Sequence, residues 1–281
     1  MSADATSGTD APKESAGTEG HTVHHRVHIL SLQGKAGELL PLPLAFSSPV
    51  RRDLIRRAVV AARSHRIQPH GTSLTAGRRH SVEWSGKGRG VARTPRLMGG
   101  MTGAQAPNTV GGGAAHPPKV NTIWAKKINR SERQAAFAAA LAATREPSLA
   151  RGRGHTFPEG LHLPVVLETP VEAISSTADA RSLLAKLKLW DDVDRAQAGV
   201  HVRAGRGKRR GRFRRGPKSF LLVVSAPMKA RGFRNLPGVD VVDVGRLGPE
   251  DLAPGGDPGR LTLFSVAAVE RLKGRLEGVA A

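Results

Sequence analysis

The chain has 281 residues, enough for one large domain or two small ones, and 44 Lys and Arg against 23 Asp and Glu leave it a net charge of +21. Self-repulsion on that scale opposes compaction unless a polyanion neutralises it, which points to nucleic acid; an anionic membrane is disfavoured, because the longest apolar run, the nine residues 135–143, falls far short of the ~20 needed to span a bilayer and no lipidation motif is present. The absence of cysteine excludes disulfides, thiol catalysis and Cys-ligated zinc.

Residues 1–22 carry Ser, Thr, Ala, Gly and a small excess of acid (Asp4, Asp10, Glu14 and Glu19 against Lys13). They are predicted to be a disordered acidic tail ahead of an α/β domain over 23–281. No basic segment followed by an apolar one marks a leader, so a cytoplasmic location is expected. Residues 27–32 predict a strand; the turn at 33–37 and the apolar run 39–44 predict a hairpin or strand-loop. Ser48 and Pro49 predict a helix start, with Ser as N-cap and Pro at the first helical position. Val50, Leu54, Ala58 and Ala61 follow at helical spacing, with Arg51, Arg52, Arg56 and Arg57 giving the helix a basic face. Scattered cations such as Arg56 and Arg271 read as solvated surface.

Residues 63–119 show neither helical nor strand periodicity. Nine glycines fall between Gly86 and Gly113, and no acid occurs from Trp84 to Ser131. Structureless loops beyond ~12–15 residues are uncommon in compact domains and are usually functional or disordered. Running out and back, this one reaches at most about 90 Å. Too poor in apolar residues to order itself, it is expected to order only within RNA.

Regular structure then resumes. A helix is predicted over 131–144, a strand over 163–168 and a helix over 177–187 capped by Thr177. Asp191, Asp192 and Asp194 read as an acidic helix start, favoured by the helix dipole. Strands are predicted over 220–225, 239–244 and 261–264, and a last helix from Ser265 to about Leu276. Near-continuous apolar strands alternating with helices predict a doubly wound, three-layer α/β/α body with a mostly parallel sheet covered on both faces. One stretch interrupts this alternation, a basic loop over 199–218. From Arg195 to Val239 there are 13 Lys or Arg and no acid. Seven of those cations lie within Arg206–Arg215, with glycines that let the backbone approach a phosphate and a preference for Arg that suits bidentate contacts.

Seven Phe, three Trp and no Tyr leave few platforms for splayed-out bases, so structured RNA is the expected target. Trp84 and Trp124 admit either a core or a base-stacking reading. Gly86-Lys-Gly-Arg-Gly-Val and Gly205-Arg-Gly-Lys-Arg-Arg-Gly miss the phosphate-loop and dinucleotide fingerprints in spacing and context. His21, His24, His25 and His28 lack a supporting Cys or carboxylate, so no metal is expected, nor is any cofactor. An acidic nuclease centre at Asp191, Asp192 and Asp194 lacks other features to support it. An α/β enzyme would need a carboxylate at the carboxyl ends of the strands, where Glu168 and Asp243 lie nearest. No Ser/His/Asp set is legible.

The run Arg78-Arg-His-Ser-Val-Glu-Trp-Ser-Gly-Lys-Gly-Arg-Gly-Val-Ala-Arg-Thr-Pro-Arg96 resembles the extended loop of the large-subunit ribosomal protein number four family, archaeal/eukaryotic branch. Ala115-His-Pro-Pro-Lys119, Lys127-Ile-Asn-Arg-Ser-Glu-Arg133, Val202-Arg-Ala-Gly-Arg-Gly-Lys-Arg-Arg-Gly211, Asn235-Leu-Pro-Gly-Val-Asp-Val-Val242 and Ala253-Pro-Gly-Gly-Asp-Pro-Gly-Arg-Leu-Thr262 resemble later parts of the family, in order, over roughly 26–276. His70, after Gln68 and Pro69, stands where the family pattern leads one to expect an aromatic residue. The resemblance implies a four-stranded parallel α/β body that binds large-subunit rRNA beside neighbouring ribosomal proteins and supports assembly. It implies a loop tip (Gly86, Lys87, Gly88, Arg89, Gly90 and Arg93) that helps form the constriction of the nascent-peptide exit tunnel, close to the nascent peptide. It implies no catalytic residue. The expected RNA contacts are Arg78, Arg79, Lys87, Arg89, Arg93, Arg96, Lys119, Lys126 and Lys127 from the long loop and its return. From the basic loop they are Arg203, Arg206, Lys208, Arg209, Arg210, Arg212, Arg214, Arg215 and Lys218. The other reading is a free-standing basic RNA-binding regulator or chaperone.

Overall fold

The computed structural model describes residues 25–280; the acidic tail, His21 and His24 lie outside them. Ten strands and seven helices follow in chain order: β1 (Arg26–Leu30), β2 (Ala36–Pro41), α1 (Arg52–Ser64), β3 (Val82–Glu83), β4 (Arg96–Leu97), α2 (Arg130–Ala143), α3 (Pro147–Gly152), β5 (Val165–Leu167), α4 (Thr177–Lys186), α5 (Trp190–Ala198), β6 (His201–Val202), β7 (Arg214–Arg215), β8 (Leu221–Val224), β9 (Asp240–Asp243), α6 (Pro249–Leu252), β10 (Thr262–Ser265) and α7 (Val266–Ala280). They divide into two compact units, one of residues 25–50, 141–247 and 259–280, the other of 51–140 and 248–258.

The first unit is α/β, with one sheet of six strands in the order β2-β1-β5-β10-β8-β9. All neighbours pair in parallel except β1 and β2. The expected four strands become six because the N-terminal hairpin is not a separate feature. Ile29 and Leu30 of β1 pair with Val166 and Leu167 of β5, which fuses the hairpin onto the parallel set. Local sequence reveals the hairpin; its docking on a strand more than a hundred residues away depends on tertiary pairing.

Every residue of β5, β8 and β10 is buried, as a strand covered on both faces requires. Alternation assigns the faces. Val165, Leu167, Leu222, Val224 and Leu263 join one cluster with Ala180, Leu183 and Leu184 of α4 and Val193 of α5. Phe264 points the other way and meets Phe46 edge-on, with ring centroids 5.8 Å apart. The cap of α4 is Ser176, not Thr177: Ser176 is extended and its Oγ accepts from the Ala178 N–H at 3.2 Å, while Thr177 is already helical. Pro147 starts α3, with extended Glu146 as its N-cap.

In the second unit α1 begins at Arg52 and not at Pro49. The Ser48 N–H closes a short 3-10 turn on Ala45 O, and Arg51 is the N-cap. The basic face of α1 is largely paired: Arg56 with Asp257 at 3.1 Å, Arg57 with Glu132 at 2.6 Å, and Arg63 with Glu250 at 3.0 Å, which also takes Arg66 just beyond the helix. Between α1 and α2 there is no helix, only the two-residue ladder Val82↔Leu97, Glu83↔Arg96 and an isolated bridge between Arg96 and Gly103. The loop nonetheless carries a hydrogen-bonded scaffold that its periodicity did not reveal. The Gly113 N–H donates to Gln105 O at 3.0 Å, and Gln105 Nε2 donates to Arg78 O at 3.2 Å and to His80 O. At its stem the Thr72 N–H donates to Pro118 O at 3.2 Å. Gly77 is required here: its φ is +72°, and a Cβ would lie 2.4 Å from Gly112 O.

Gly77→Ala is therefore expected to loosen the loop without lowering the global unfolding midpoint. Trypsin cleavage after Arg78 and Arg79 should rise about tenfold, as strain of a few kcal/mol opens a local unit. Gly86→Ala shares the positive φ, at +66°, but has nothing within 4 Å of its Cβ position; its strain stays at the distant turn and should leave those two sites within about twofold. Equal acceleration in both variants would count against the scaffold.

Candidate nucleic-acid interface

The basic stretch over 199–218 is a hairpin. β6 pairs antiparallel with β7 in the register His201↔Arg215, Val202↔Arg214. The Arg203 N–H donates to Phe213 O at 2.8 Å, and a 3-10 turn at Arg206–Arg210 closes the tip. Arg206, Lys208, Arg209, Arg210, Arg212, Arg214 and Arg215 are all exposed, and among the described residues none has an acidic partner. Val202 and Phe213 are also exposed on this hairpin. Arg203 turns its Nε back to Arg212 O.

Two carboxylates, Asp192 fully buried and Asp240 half-buried, fix the root of the hairpin. Asp192 lies in α5. His155 Nδ1 donates to it at 3.1 Å, the Thr156 N–H at 3.0 Å, Arg195 Nε at 3.0 Å and Ser219 Oγ at 2.6 Å. Arg195 also donates to Lys218 O at 2.9 Å, tying the end of α5 to the start of β8. Burial pushes the Asp192 carboxyl up, but the donors from His155, Ser219 and Arg195 outweigh it and hold it down at about 2. On the other side Asp240 accepts from Arg260 Nη2 at 2.6 Å and Lys218 Nζ at 2.9 Å. Burial raises Asp240, and Arg260 with Lys218 more than reverses it, so its pKa lies below the ordinary value. Arg260 is itself buried and donates to Ser219 O at 3.0 Å and Phe220 O at 3.3 Å.

Sequence reasoning missed this clamp. A signal was present: the acid-free window 195–239 is closed on one side by the aspartates of α5 and on the other by Asp240. Asp192 is no helix-dipole residue alone and no metal ligand, because its oxygens are filled by protein donors. Lys218, expected on RNA, is engaged with Asp240.

In the long loop Lys87, Arg89 and Arg93 sit exposed on the turn between β3 and β4, with Gly86, Gly88 and Gly90 between them. Arg78 and Arg79 flank the scaffold, and Arg79 Nε donates to Thr75 Oγ1 at 3.1 Å. Arg96 is turned inward, donating to Met101 O at 3.1 Å and Ala92 O at 3.2 Å. Lys119, Lys126 and Lys127 are exposed on the return. Trp84 is exposed, while Trp124 stacks on His70 with centroids 5.3 Å apart and planes at 16°. The hairpin and the long loop belong to different units.

Among the described residues no group of three or more His, Asp or Glu side chains is placed to hold a metal ion, and no helix is long and apolar enough to cross a membrane. Of the carboxylates read near the strand ends, Asp243 lies close to Arg246 and Glu168 is half-buried. The group the sequence did not point to is Glu172. It is buried and accepts from the Ser225 N–H at 2.6 Å, Ser225 Oγ at 2.8 Å, Lys229 Nζ at 2.6 Å and Ser265 Oγ at 2.5 Å.

Residues 40–275 match the profile of the ribosomal protein L4/L1 family. The chain is 44% identical over 254 residues to the large ribosomal subunit protein uL4 of Methanopyrus kandleri, covering 88% of this chain and 98% of that protein. The same-named protein of Pyrobaculum aerophilum is 46% identical over 254 residues, with 89% of each covered. That of Methanocaldococcus jannaschii is 44% identical over 250 residues, with 89% and 98% covered. The chain belongs to the ribosomal protein L4/L1 family. The family read in the loop motifs is thereby borne out, and both basic segments of this L4/L1 chain fall inside the matched region.

The Asp192 clamp has a pH signature. Its carboxyl is depressed from an ordinary value of 3.8, so its contribution is present above about pH 4 and is lost as pH falls toward 2, worth about 2 kcal/mol. Asp192→Asn leaves Arg195 and His155 facing a neutral group and should cost about 3–5 kcal/mol at pH 7. In urea unfolding followed by circular dichroism, the gap between wild type and variant should shrink by about 2 kcal/mol from pH 5 to pH 2. A gap that stays constant would show that Asp192 is not the titrating anchor.

Proposed function

We propose that this chain is a structural constituent of the large ribosomal subunit that binds large-subunit rRNA and supports subunit assembly. In this reading the tip of its long loop (Gly86, Lys87, Gly88, Arg89, Gly90 and Arg93) helps form the constriction of the nascent-peptide exit tunnel. The partners are large-subunit rRNA, neighbouring ribosomal proteins and, near the tip, the nascent peptide. The carrying observation is the exposed hairpin over 199–218, whose tip presents Arg206, Lys208, Arg209 and Arg210 with no acid to pair them among the described residues. Cations held apart from acids on a backbone ladder gain little from the protein itself. Against phosphates they release counterions and make bidentate contacts.

Family membership carries the same reading, since the relatives are named as large ribosomal subunit proteins. The buried carboxylates support a structural rather than catalytic role. Glu172 and Asp192 have their oxygens taken by protein donors, which leaves neither free to hold a metal or shuttle a proton.

Expressed in cells, the protein should sediment with large subunits on a sucrose gradient. A predominantly soluble pool would instead favour a free-standing RNA-binding regulator or chaperone. With an rRNA fragment in vitro, affinity should fall steeply with salt. Replacing Arg209 and Arg210 together by Ala should flatten the log–log slope by roughly 1.5, since each phosphate contact contributes about 0.7–0.9. A slope unchanged in that variant would remove the hairpin from the interface.

A further inference from the structure

We propose that His70 and Trp124 form a base-stacking platform for one unpaired RNA nucleotide, with Lys126 and Lys127 taking its phosphates. The inference rests on the RNA-binding reading above and adds a site of different chemistry to it. The two rings lie nearly parallel, 16° apart with centroids at 5.3 Å. They stand at the stem of the loop, one on the outgoing strand and one on the return. The stem is tight: a Cβ on Gly71 would meet Val120 N at 2.9 Å and Pro118 O at 3.0 Å, and the Lys126 N–H donates to Ser64 Oγ at 2.8 Å. The platform is therefore held by backbone, so little order has to be gained on binding.

The rings are not core. His70 is exposed and Trp124 keeps 36% of its surface open, while Val120 and Ile123 beside it are 61% and 88% exposed. In a chain with three Trp and no Tyr, a stacked pair outside the core is a large apolar area left to a partner. The chemistry next to it names that partner. Lys126 and Lys127, two and three residues beyond Trp124, line a groove of about 730 Å³ whose two acids, Asp53 and Glu132, are taken by Arg51 and Arg57. Among the described residues neither lysine has an acidic partner, whereas Arg56 and Arg57 of the same groove are paired. An aromatic face beside unpaired cations is how single-stranded nucleotides are held. A hydrophobic peptide would use the rings and leave the lysines unsatisfied.

The test uses the full chain and two 12-nucleotide probes, oligoadenylate and an abasic strand of equal length and charge, titrated at fixed salt. Wild type is expected to bind oligoadenylate about tenfold more tightly than the abasic strand, the gain expected from stacking one base. That preference should vanish in Trp124→Ala, fall in His70→Ala and survive largely in Trp124→Phe, which keeps a ring and guards against a folding artefact. Phe213→Ala, on the basic hairpin, should leave it intact. A preference unchanged in Trp124→Ala, lost in Phe213→Ala, or absent from wild type would overturn the platform while the abasic strand still reports RNA-backbone binding. If neither strand binds with a salt-dependent affinity, the RNA-binding reading itself fails.

Discussion

Twenty-three acids must serve forty-four cations in this chain, and they are distributed unevenly. Asp192, Asp240 and Glu172 are committed inside the α/β unit, each to two or more donors. Glu132, Glu250 and Asp257 are committed to the arginines of α1. Where the backbone must pack, charge is balanced locally; the surplus is exported to two segments that hold almost no acid. Repulsion is least costly there, because an exposed cation on an extended ladder remains solvated and screened. The same segregation makes those segments attractive to a polyanion, so one constraint accounts for both the stability of the body and the affinity of its appendages.

The appendages need shape without a hydrophobic core, and they obtain it from backbone hydrogen bonds and buried polar anchors. The basic hairpin has two short strands, a closing turn, and a root held between Asp192 and Asp240. The long loop has Gln105 reaching across to Arg78 O and His80 O, and glycine where two backbones touch at Gly77 and Gly112. Some cations expected to face RNA are spent on this internal work. Arg96 holds two carbonyls of its own loop, and Lys218 holds Asp240. The expectation that the loop takes its shape only within RNA thus shares ground with a scaffold of its own, on which the exposed residues Lys87, Arg89 and Arg93 are carried.

What the sequence made legible follows the range of the interactions involved. The apolar runs that became β8 and β10, and the alanine-rich periodicity of α2, are local and strong, and they were found within a residue or two. Helix starts were less sharp: Ser176 outcompeted its neighbour Thr177 as cap because its backbone is extended, and Ser48 was taken up by a preceding turn. The two-residue strands β6 and β7 lie below any periodic signal, since Arg214 and Arg215 read only as charge. The pairing of β1 with β5, and the convergence of His155 and Ser219 on Asp192, depend on chain separations of tens of residues or more; the clamp's one compositional mark is the acid-free window 195–239 with aspartates on either side. Among the cations expected to face RNA, which of them stay free of protein partners was not legible in the sequence.

Glu172 occupies the end of the sheet formed by the carboxyl ends of three strands. Doubly wound sheets bind ligands outside the carboxyl ends of their strands, and Leu167, Val224 and Ser265 end β5, β8 and β10 there. In this chain that end is closed by one carboxylate accepting from Ser225 and Lys229 after β8 and from Ser265 at the end of β10. Burial raises its pKa, and those donors reverse the effect and keep it low, so the plug stays ionised and bonded. An ionised group bonded to donors on both sides locks three central strands together. The sheet is thereby a rigid mount for the basic segments that leave it.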